Sequence, residues 1–273
     1  MQDPLIEIRQ ALSPERLGAY ARGGRGELDA LGLYIWNTLL CEAVYPVLHG
    51  LEVSLRNALF DAAGAAYHGH GFAQVPCWLD ADPPVLLPGE RGKVEQAKRR
   101  LREKGRPLEP GRVVAELSFG FWTALFDVRY EHGRVLWPRL FKHGLFAGAP
   151  RRLRSRHVLS PLLNRVRNLR NRAFHHEPIW HWRDLGEQHA LARDLVGWLC
   201  PELRGVLEPF DRFERVARGA RGRPGDAGAA HRRGDGAGRG RTAGDGPGER
   251  RQSMRRPRRP PVSRTAGALG VRS

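Results

Sequence analysis

The chain has 273 residues, of which 41% are hydrophobic, and this is enough for a globular domain with a buried core. Its formal net charge of +17 suggests an anionic partner but is unevenly spread, because residues 217–273 hold 15 arginines against four carboxylates, which leaves +6 for residues 1–216. The three cysteines, Cys41, Cys77 and Cys200, are an odd and widely spaced set without paired spacing, which indicates neither a disulfide framework nor a zinc site.

The N-terminus has none of the features of a secretion signal. It reads MQDPLIEIRQALSPERL, with an acidic residue at position 3 and no apolar run after a basic start. No stretch of the chain approaches the roughly 18 uninterrupted apolar residues that a membrane span needs. Together with the unpaired cysteines, these features predict a soluble, cytoplasmic protein without a membrane partner.

Residues 1–216 show the apolar spacing of three and four that is typical of helices, and no convincing period-two strand pattern. Ser13 before Pro14 and Glu15 predicts the N-cap of a short first helix. Residues 68–90 are rich in Gly and Pro and are predicted to be a connecting loop. Further helices are predicted at 27–66 with a kink or junction at Pro46, at 90–105, in one or two pieces over 110–141 broken near Gly120 and Gly133, and at 151–176, 182–200 and 201–216. The sequence therefore predicts an all-α domain over residues 1–216.

Residues 217–273 have a different composition, dominated by Arg, Gly and Pro with almost no large apolar side chains. Burial cannot offset the entropy of ordering such a segment, so we expect a disordered basic tail. Two interpretations of the tail stay open. It can hold single-stranded nucleic acid electrostatically, and the same composition arises when GC-rich DNA is read in a shifted frame.

The segment RNLRNRAFHHEP, residues 167–178, places polar groups on one side of a predicted helix. At 100° per residue, Asn168, Asn171 and His175 fall within about 100° of Arg167. The opposite face is apolar and contains Leu162, Val166, Leu169 and Ala173. Arg170 falls at the border of that apolar face, which is a costly position for a charge unless something there requires it.

A second polar ridge is predicted on the earlier helix, where Tyr45, His49, Glu52 and Arg56 share one face between leucines. Two helices that both present Arg, His and amide or carboxylate groups could line a shared cleft for an anionic substrate. Plainer interpretations exist for each residue. Glu52 and Arg56 fit an ordinary i,i+4 ion pair, and histidines near the end of a helix interact favourably with its dipole.

Histidines cluster around the end of the motif helix, but their spacing does not match a metal site. The candidate ligands are His175, His176, Glu177, His181 and His189. Adjacent histidines on a helix diverge by about 100°, and no standard zinc spacing is present. We therefore expect neither a metal nor another cofactor.

The segment RNRAFHHEP, with Arg170, Asn171 and the pair His175 and His176, resembles the signature of the HEPN superfamily, and more narrowly that of its Abi-like (abortive infection) branch. Residues 33–60 resemble the N-terminal helix of that branch and residues 113–126 its middle segment, in the same order. The resemblance covers roughly residues 15–205. It implies a HEPN-like helical bundle, usually a homodimer whose motif helices face each other across a basic groove. The implied activity is that of a metal-independent endoribonuclease toxin in phage defence.

Carried over to this chain, the resemblance gives Arg170 the role of stabilising phosphate charge, His175 that of the acid/base, and Asn171 that of orienting the histidine or the phosphate. Cleavage through attack by the ribose 2′-OH leaves a 2′,3′-cyclic phosphate and a 5′-hydroxyl. The expected partners are RNA and an antitoxin protein or RNA. Further candidates for catalysis or RNA binding are His176, Glu52, Arg56, Arg167, Asn168, His49 and Tyr45.

Two other classes of function stay open from the sequence alone. A non-catalytic RNA-binding or antitoxin-paired module needs the same cationic residues as a groove that cleaves RNA. A helical interaction protein would use the polar ridge as a dimer interface with satisfied hydrogen bonds.

Overall fold

The computed structural model describes residues 4–21, 23–67, 77–82, 84–132 and 135–219. Within these ranges all regular structure is helical and no strand occurs, so the predicted all-α class is confirmed. The helices are α1 Pro4–Leu12, α2 Pro14–Gly18, α3 Glu27–Tyr67, α4 Pro88–Glu103, α5 Pro110–Glu116, α6 Phe119–Ala124, α7 Arg139–Lys142, α8 Arg156–Phe174, α9 Leu185–Leu199, α10 Pro201–Leu207 and α11 Phe213–Arg218. Short 3₁₀ turns lie at Trp78–Asp80, Val128–Tyr130, Arg151–Leu153 and Glu208–Phe210.

The 41-residue helix α3 forms the centre of the bundle. Glu27 and Asp29 in its first turn interact favourably with the helix dipole, and the helix continues through Pro46. Fifteen of its residues are buried. One of these, Gly50, allows a close approach of α10, because a Cβ at this position would lie 2.5 Å from Cδ1 of Leu207.

The same helix is, within the described part of the chain, the one element that is long and apolar enough to cross a membrane. This follows from length and composition only, and the central helix of a soluble bundle meets the same criterion. Here α3 packs against α6, α7, α8, α9, α10 and α11.

Aromatic side chains fill much of the core beside α3. Trp122 and Phe121 come from α6, Trp137 precedes α7, and Phe146 follows it, all fully buried. Trp137 also donates a hydrogen bond from its indole nitrogen to the carbonyl of Leu125, at 2.8 Å. Each such ring removes a large apolar area from water, worth about 1.5–3 kcal/mol. These contacts fix α6 and the segment before α8 against the long helix.

The N-terminal residues form two helices, of which the sequence predicted only the second. Ser13 accepts a hydrogen bond from the backbone N–H of Arg16 at 3.3 Å and Pro14 opens α2, as predicted. α1 buries none of its residues, and its apolar side chains line a hollow between α1, α2 and the start of α3. α2 matters for the site because Arg16 reaches the end of α8.

Several predicted boundaries shift by a few residues. The range 110–141, predicted as one or two helices, breaks between α5 and α6 just before Gly120, where Ser118 caps α6 by accepting from the N–H of Phe121 at 3.4 Å. α6 ends at Ala124, and the rest of the range holds a 3₁₀ turn and most of α7 instead of a long helix. Gly133 lies outside the described residues. The predicted helix at 151–176 begins five residues later, because Ser155 caps it by accepting from the N–H of Val158 at 3.3 Å.

The C-terminal part of the body is formed by α10 and α11, with a 3₁₀ turn between them, where one helix over 201–216 was predicted. Pro209 explains the interruption, since it cannot donate a backbone hydrogen bond. The described residues all lie in one compact unit. The prediction of a disordered tail over 217–273 lies outside the described residues, apart from 217–219 at the end of α11.

Candidate functional site

Helix α8 carries Arg170 and Asn171, and His175 and His176 follow its last residue. Its apolar and polar groups lie on two different faces. Its buried residues are Leu159, Leu163, Val166, Leu169 and Ala173. Asn168, Asn171 and His175 are exposed, and Arg170 is half-buried between the two faces. The burial pattern agrees with the helical face assigned from spacing, except that Leu162 is only partly buried.

The C-terminus of α8 ends in a tight hydrogen-bonded turn at the histidine pair. His175 is the capping residue, and His176 adopts φ +58°, a left-handed conformation that favours glycine. The backbone N–H of Glu177 donates to the carbonyl of Arg172 at 2.9 Å, and that of His176 to the carbonyl of Ala173 at 3.4 Å. The turn directs the chain away from the helix immediately after His175.

Two residues that the sequence did not single out hold this turn in place. Arg16 of α2 donates from Nη1 to the carbonyl of His176 at 3.1 Å. Asn37 of α3 is buried, and its Oδ1 accepts from the N–H of Ile179 at 2.7 Å and from that of Trp180 at 3.1 Å. The sequence signal that could have identified this contact is an Asn within the mostly apolar run of residues 30–41.

The predicted polar ridge of α3 meets α8 at an ion pair with Arg170, the arginine at the border of the apolar face. Arg170 of α8 donates to Glu52 of α3, with Nε 3.0 Å from Oε2 and Nη2 3.4 Å from Oε1. The side chains of Arg170 and Glu52 are only 23% and 18% exposed, so the pair is partly shielded from water. The arginine at the border of the apolar face therefore has a partner, and that partner is a candidate residue from the other helix.

Four planar groups stack across the same interface. The guanidinium carbon of Arg170 lies 4.4 Å from the ring centre of Phe174. Phe174 stacks on Tyr45 at 5.1 Å with 16° between the ring planes, and Tyr45 stacks on His49 at 5.7 Å with 6°. We call Arg170, Phe174, Tyr45 and His49 the stacked column. Arg170, at one end of this series, is paired with Glu52, and His49, at the other end, is exposed.

α3 and α8 run antiparallel at this interface, since Tyr45 meets Phe174 and the later residue Glu52 meets the earlier residue Arg170. Arg56, one turn beyond Glu52, and Arg167, one turn before Arg170, therefore lie at a common level.

Neither Arg56 nor Arg167 has a carboxylate partner within the described part of the chain. The Nε atom of Arg56 is buried without a hydrogen-bond partner. Arg167 donates from Nη1 to the hydroxyl of Thr123 on α6, at 3.3 Å. The positive charge at this level of the interface is uncompensated by any ion pair.

The structure does not bring all predicted site residues together. Arg170 points to α3, whereas Asn168, Asn171 and His175 are exposed on another side of α8. Among the described residues, the imidazole of His175 makes no hydrogen bond, ion pair or ring contact, to Arg170 or to any other group. Within one chain, the guanidinium and the imidazole of the motif thus occupy different surroundings.

An open depression of about 380 Å³ lies beside the exposed face of α8. It is lined by Arg165, Asn168, Trp182, Arg183, Asp184 and Gln188. Arg165 is neutralised there, because its Nη2 lies 2.7 Å from Asp184 and 3.0 Å from Glu187. The hydrogen bond from Arg165 lowers the pKa of Asp184 below its ordinary value.

The described residues contain no group of three or more His, Cys, Asp or Glu side chains placed to hold a metal ion. The three cysteines are free thiols, and burial raises the pKa of Cys41 to about 11. What the site offers is cationic and imidazole chemistry: an anchored arginine, two arginines without carboxylate partners, and exposed histidines. Comparison of the chain with protein-family models, curated proteins and solved structures gave no match.

Proposed function

We propose that this protein is a metal-independent endoribonuclease of the HEPN type, acting as a toxin in abortive infection. The observation that carries the proposal is the ion pair between Arg170 and Glu52. It joins the segment that resembles the HEPN signature to the segment that resembles the N-terminal helix of the Abi-like branch. Two further arginines, Arg56 and Arg167, lie one turn away without carboxylate partners, as an anionic substrate requires.

The proposed reaction needs an acid/base group and a cation, and no other reactant. His175 removes the proton from a ribose 2′-OH, and the oxygen attacks the adjacent phosphorus. The P–O5′ bond then breaks, a proton passes to the leaving 5′-oxygen, and the products carry a 2′,3′-cyclic phosphate and a 5′-hydroxyl. An imidazole suits both proton transfers because the ordinary pKa of histidine is close to neutral pH.

We assign different roles to the three arginines according to the groups that they contact. Arg170 is held by Glu52 and Phe174, so its orientation is fixed but much of its charge is compensated. Arg56 and Arg167 keep their full charge, which suits them to hold the backbone phosphates. We therefore assign phosphate binding mainly to Arg56 and Arg167, and to Arg170 the placement of the scissile group.

The exposed position of His175 fits a homodimer in which two α8 helices face each other. In such a dimer the stripe formed by Asn168, Asn171 and His175 of each copy lines a groove with its counterpart, and RNA bound there meets arginines and imidazoles from both chains. A dimer also supplies a second imidazole for the proton of the leaving oxygen. RNA and a second copy of the chain are the partners of this proposal, with an antitoxin to restrain the activity.

The test is incubation of purified protein with total RNA in EDTA, followed by analysis of the fragment ends. The wild-type protein is expected to give 2′,3′-cyclic phosphates and 5′-hydroxyls, and His175→Ala and Arg170→Ala are expected to give none. His143→Ala is the matched control, since His143 is also exposed but lies after α7. Circular dichroism checks that each variant is folded. Cleavage that stops in EDTA would refute the metal-free mechanism.

A non-catalytic RNA-binding or antitoxin-paired module is the second candidate, and one observation favours it. No described group orients the imidazole of His175, and an unoriented base is poorly placed for catalysis. This function predicts RNA binding that weakens steeply with salt, no cleavage of any RNA pool, and no toxicity when the protein is expressed.

A further inference from the structure

The stacked column extends further than the anchoring of Arg170 requires. Among the described residues, the guanidinium of Arg170 makes its hydrogen bonds to Glu52 and its ring contact to Phe174. Tyr45 and His49 add two further rings to the stack, and neither makes a hydrogen bond or a ring contact with Arg170. Tyr45 is 48% exposed and His49 is also exposed, so the two outer rings lie at the surface.

The outer end of the column has the geometry of an aromatic stacking surface. The planes of Tyr45 and His49 differ by only 6°, and those of Tyr45 and Phe174 by 16°, so the rings present a series of nearly parallel faces. Aromatic pairs in protein cores often meet edge to face, as Tyr20 and Tyr34 do at 88°. A parallel stack that ends at an exposed ring is suited to receive one more flat ring.

We propose that Tyr45 and His49 form a stacking platform for an unpaired nucleobase of the RNA substrate, an assignment that rests on the proposed function. Stacking on the exposed ring face tolerates any base, because every base has a π-face, and it requires the base to be out of a duplex. The ligand class is therefore single-stranded RNA, bound through a base next to the phosphate held at the arginines.

The arginines lie at a distance that suits this arrangement. Arg56 follows His49 by seven residues on the same face of α3, about 10 Å along the helix axis. A base stacked on His49 can thus belong to the same short strand whose backbone phosphate meets Arg56. Glu52 lies between His49 and Arg56 and is paired with Arg170, so it does not compete with the RNA phosphate for Arg56.

The experiment measures binding of short fluorescent RNA strands to protein that carries His175→Ala to prevent cleavage. Adding His49→Ala is expected to weaken binding of an unpaired strand about five- to a hundredfold. His49→Phe, which keeps a flat ring, is expected to restore binding. Phe210→Ala is the matched control, because Phe210 is an exposed aromatic residue outside the site, and it should leave the affinity unchanged.

Two further strands separate stacking from charge and from the proposed nuclease. An abasic strand and an RNA duplex offer no free base, so His49→Ala should not change their affinities. An equal loss for the abasic strand, or no loss for the unpaired strand, would overturn the platform. Cleavage by the wild-type protein in EDTA is scored separately. If the wild-type protein does not cleave RNA but binding still depends on the base, the nuclease proposal fails and the platform stands. If it cleaves RNA and His49→Ala binds the unpaired strand unchanged, the platform alone fails.

Discussion

Arg170 of α8 donates two hydrogen bonds to Glu52 of α3, at 3.0 and 3.4 Å, across an interface where both side chains are mostly buried. The contact joins residues that are 118 positions apart in the chain. It places the motif arginine in the wall between two helices, where a charge without a partner would be strongly unfavourable. The pair therefore has a structural role, in addition to any role in binding RNA.

Removal of the acid from this pair is expected to destabilise the fold. Glu52→Gln leaves the guanidinium of Arg170 without a counter-charge, and we expect the free energy of unfolding to fall by about 1–3 kcal/mol. Urea denaturation measures the change. Glu187→Gln is the control, because its pair with Arg165 is exposed to water and should be worth less than about 1 kcal/mol. Equal losses in the two variants would show that the Arg170 pair is not shielded.

The arginines without carboxylate partners are expected to dominate the binding of RNA backbone. Arg56→Ala and Arg167→Ala should each weaken binding of single-stranded RNA and lower the slope of log K against log salt by about 0.7, since each removes one phosphate contact. Arg165→Ala is the matched control, because Asp184 and Glu187 already neutralise that side chain. The measurement is a salt titration of affinity. The same slope change in Arg165→Ala would contradict the assignment.

The left-handed conformation of His176 separates the two motif histidines experimentally. At φ +58° a side chain is unfavourable, so His176→Gly should raise the free energy of unfolding by up to about 1 kcal/mol. If His175 is the acid/base, the variant keeps RNA cleavage. His157→Gly, at an exposed position in the first turn of α8, is the control and should lower stability by roughly a few tenths of a kcal/mol. Loss of cleavage in a stable His176→Gly protein would move the catalytic role to His176.

Periodicity in the sequence predicts much of this fold because each helix buries one face. The spacing of apolar residues in 156–174 assigns the buried face of α8 almost correctly, and it places Arg170 at the border where the structure has it. The cap at Ser13 is likewise a local signal, set by residues within one turn. Such features depend on near neighbours, which are visible in the chain.

Contacts between distant residues are not encoded in periodicity. Glu52 suits Arg56 at i+4 as well as it suits Arg170, and the choice of Arg170 follows from how α3 and α8 pack. Two other contacts depend on the same packing of helices: the stacking of Phe174 on Tyr45, and the hydrogen bonds that Asn37 accepts from the turn after α8. α1 is short and buries none of its residues, and it was not predicted.

His189 on α9 is a buried histidine outside the proposed site, and it provides a test of pH dependence. Its ring stacks on Phe213 at 4.2 Å, and its Nε2 lies 3.2 Å from Oδ1 of Asp211 but makes no hydrogen bond in a favourable direction. Burial is the main effect and lowers the pKa of His189 below its ordinary value, with Arg193 acting in the same direction. Asp211 and Glu214 act in the opposite direction without reversing it.

The lowered pKa of His189 makes the fold less stable in acid. The unfolded chain, with the ordinary histidine pKa of about 6.5, binds a proton more readily than the folded chain. The contribution of His189 is therefore fully present above pH 6.5 and is lost as the pH falls towards its folded pKa. Urea denaturation at pH 7.5 and 5.5 should show a larger loss of stability in the wild-type protein than in His189→Gln. The exposed His143→Gln is the control and should lose as much as the wild type. An identical loss in His189→Gln would mean that this imidazole already binds its proton as readily in the folded chain as in the unfolded one.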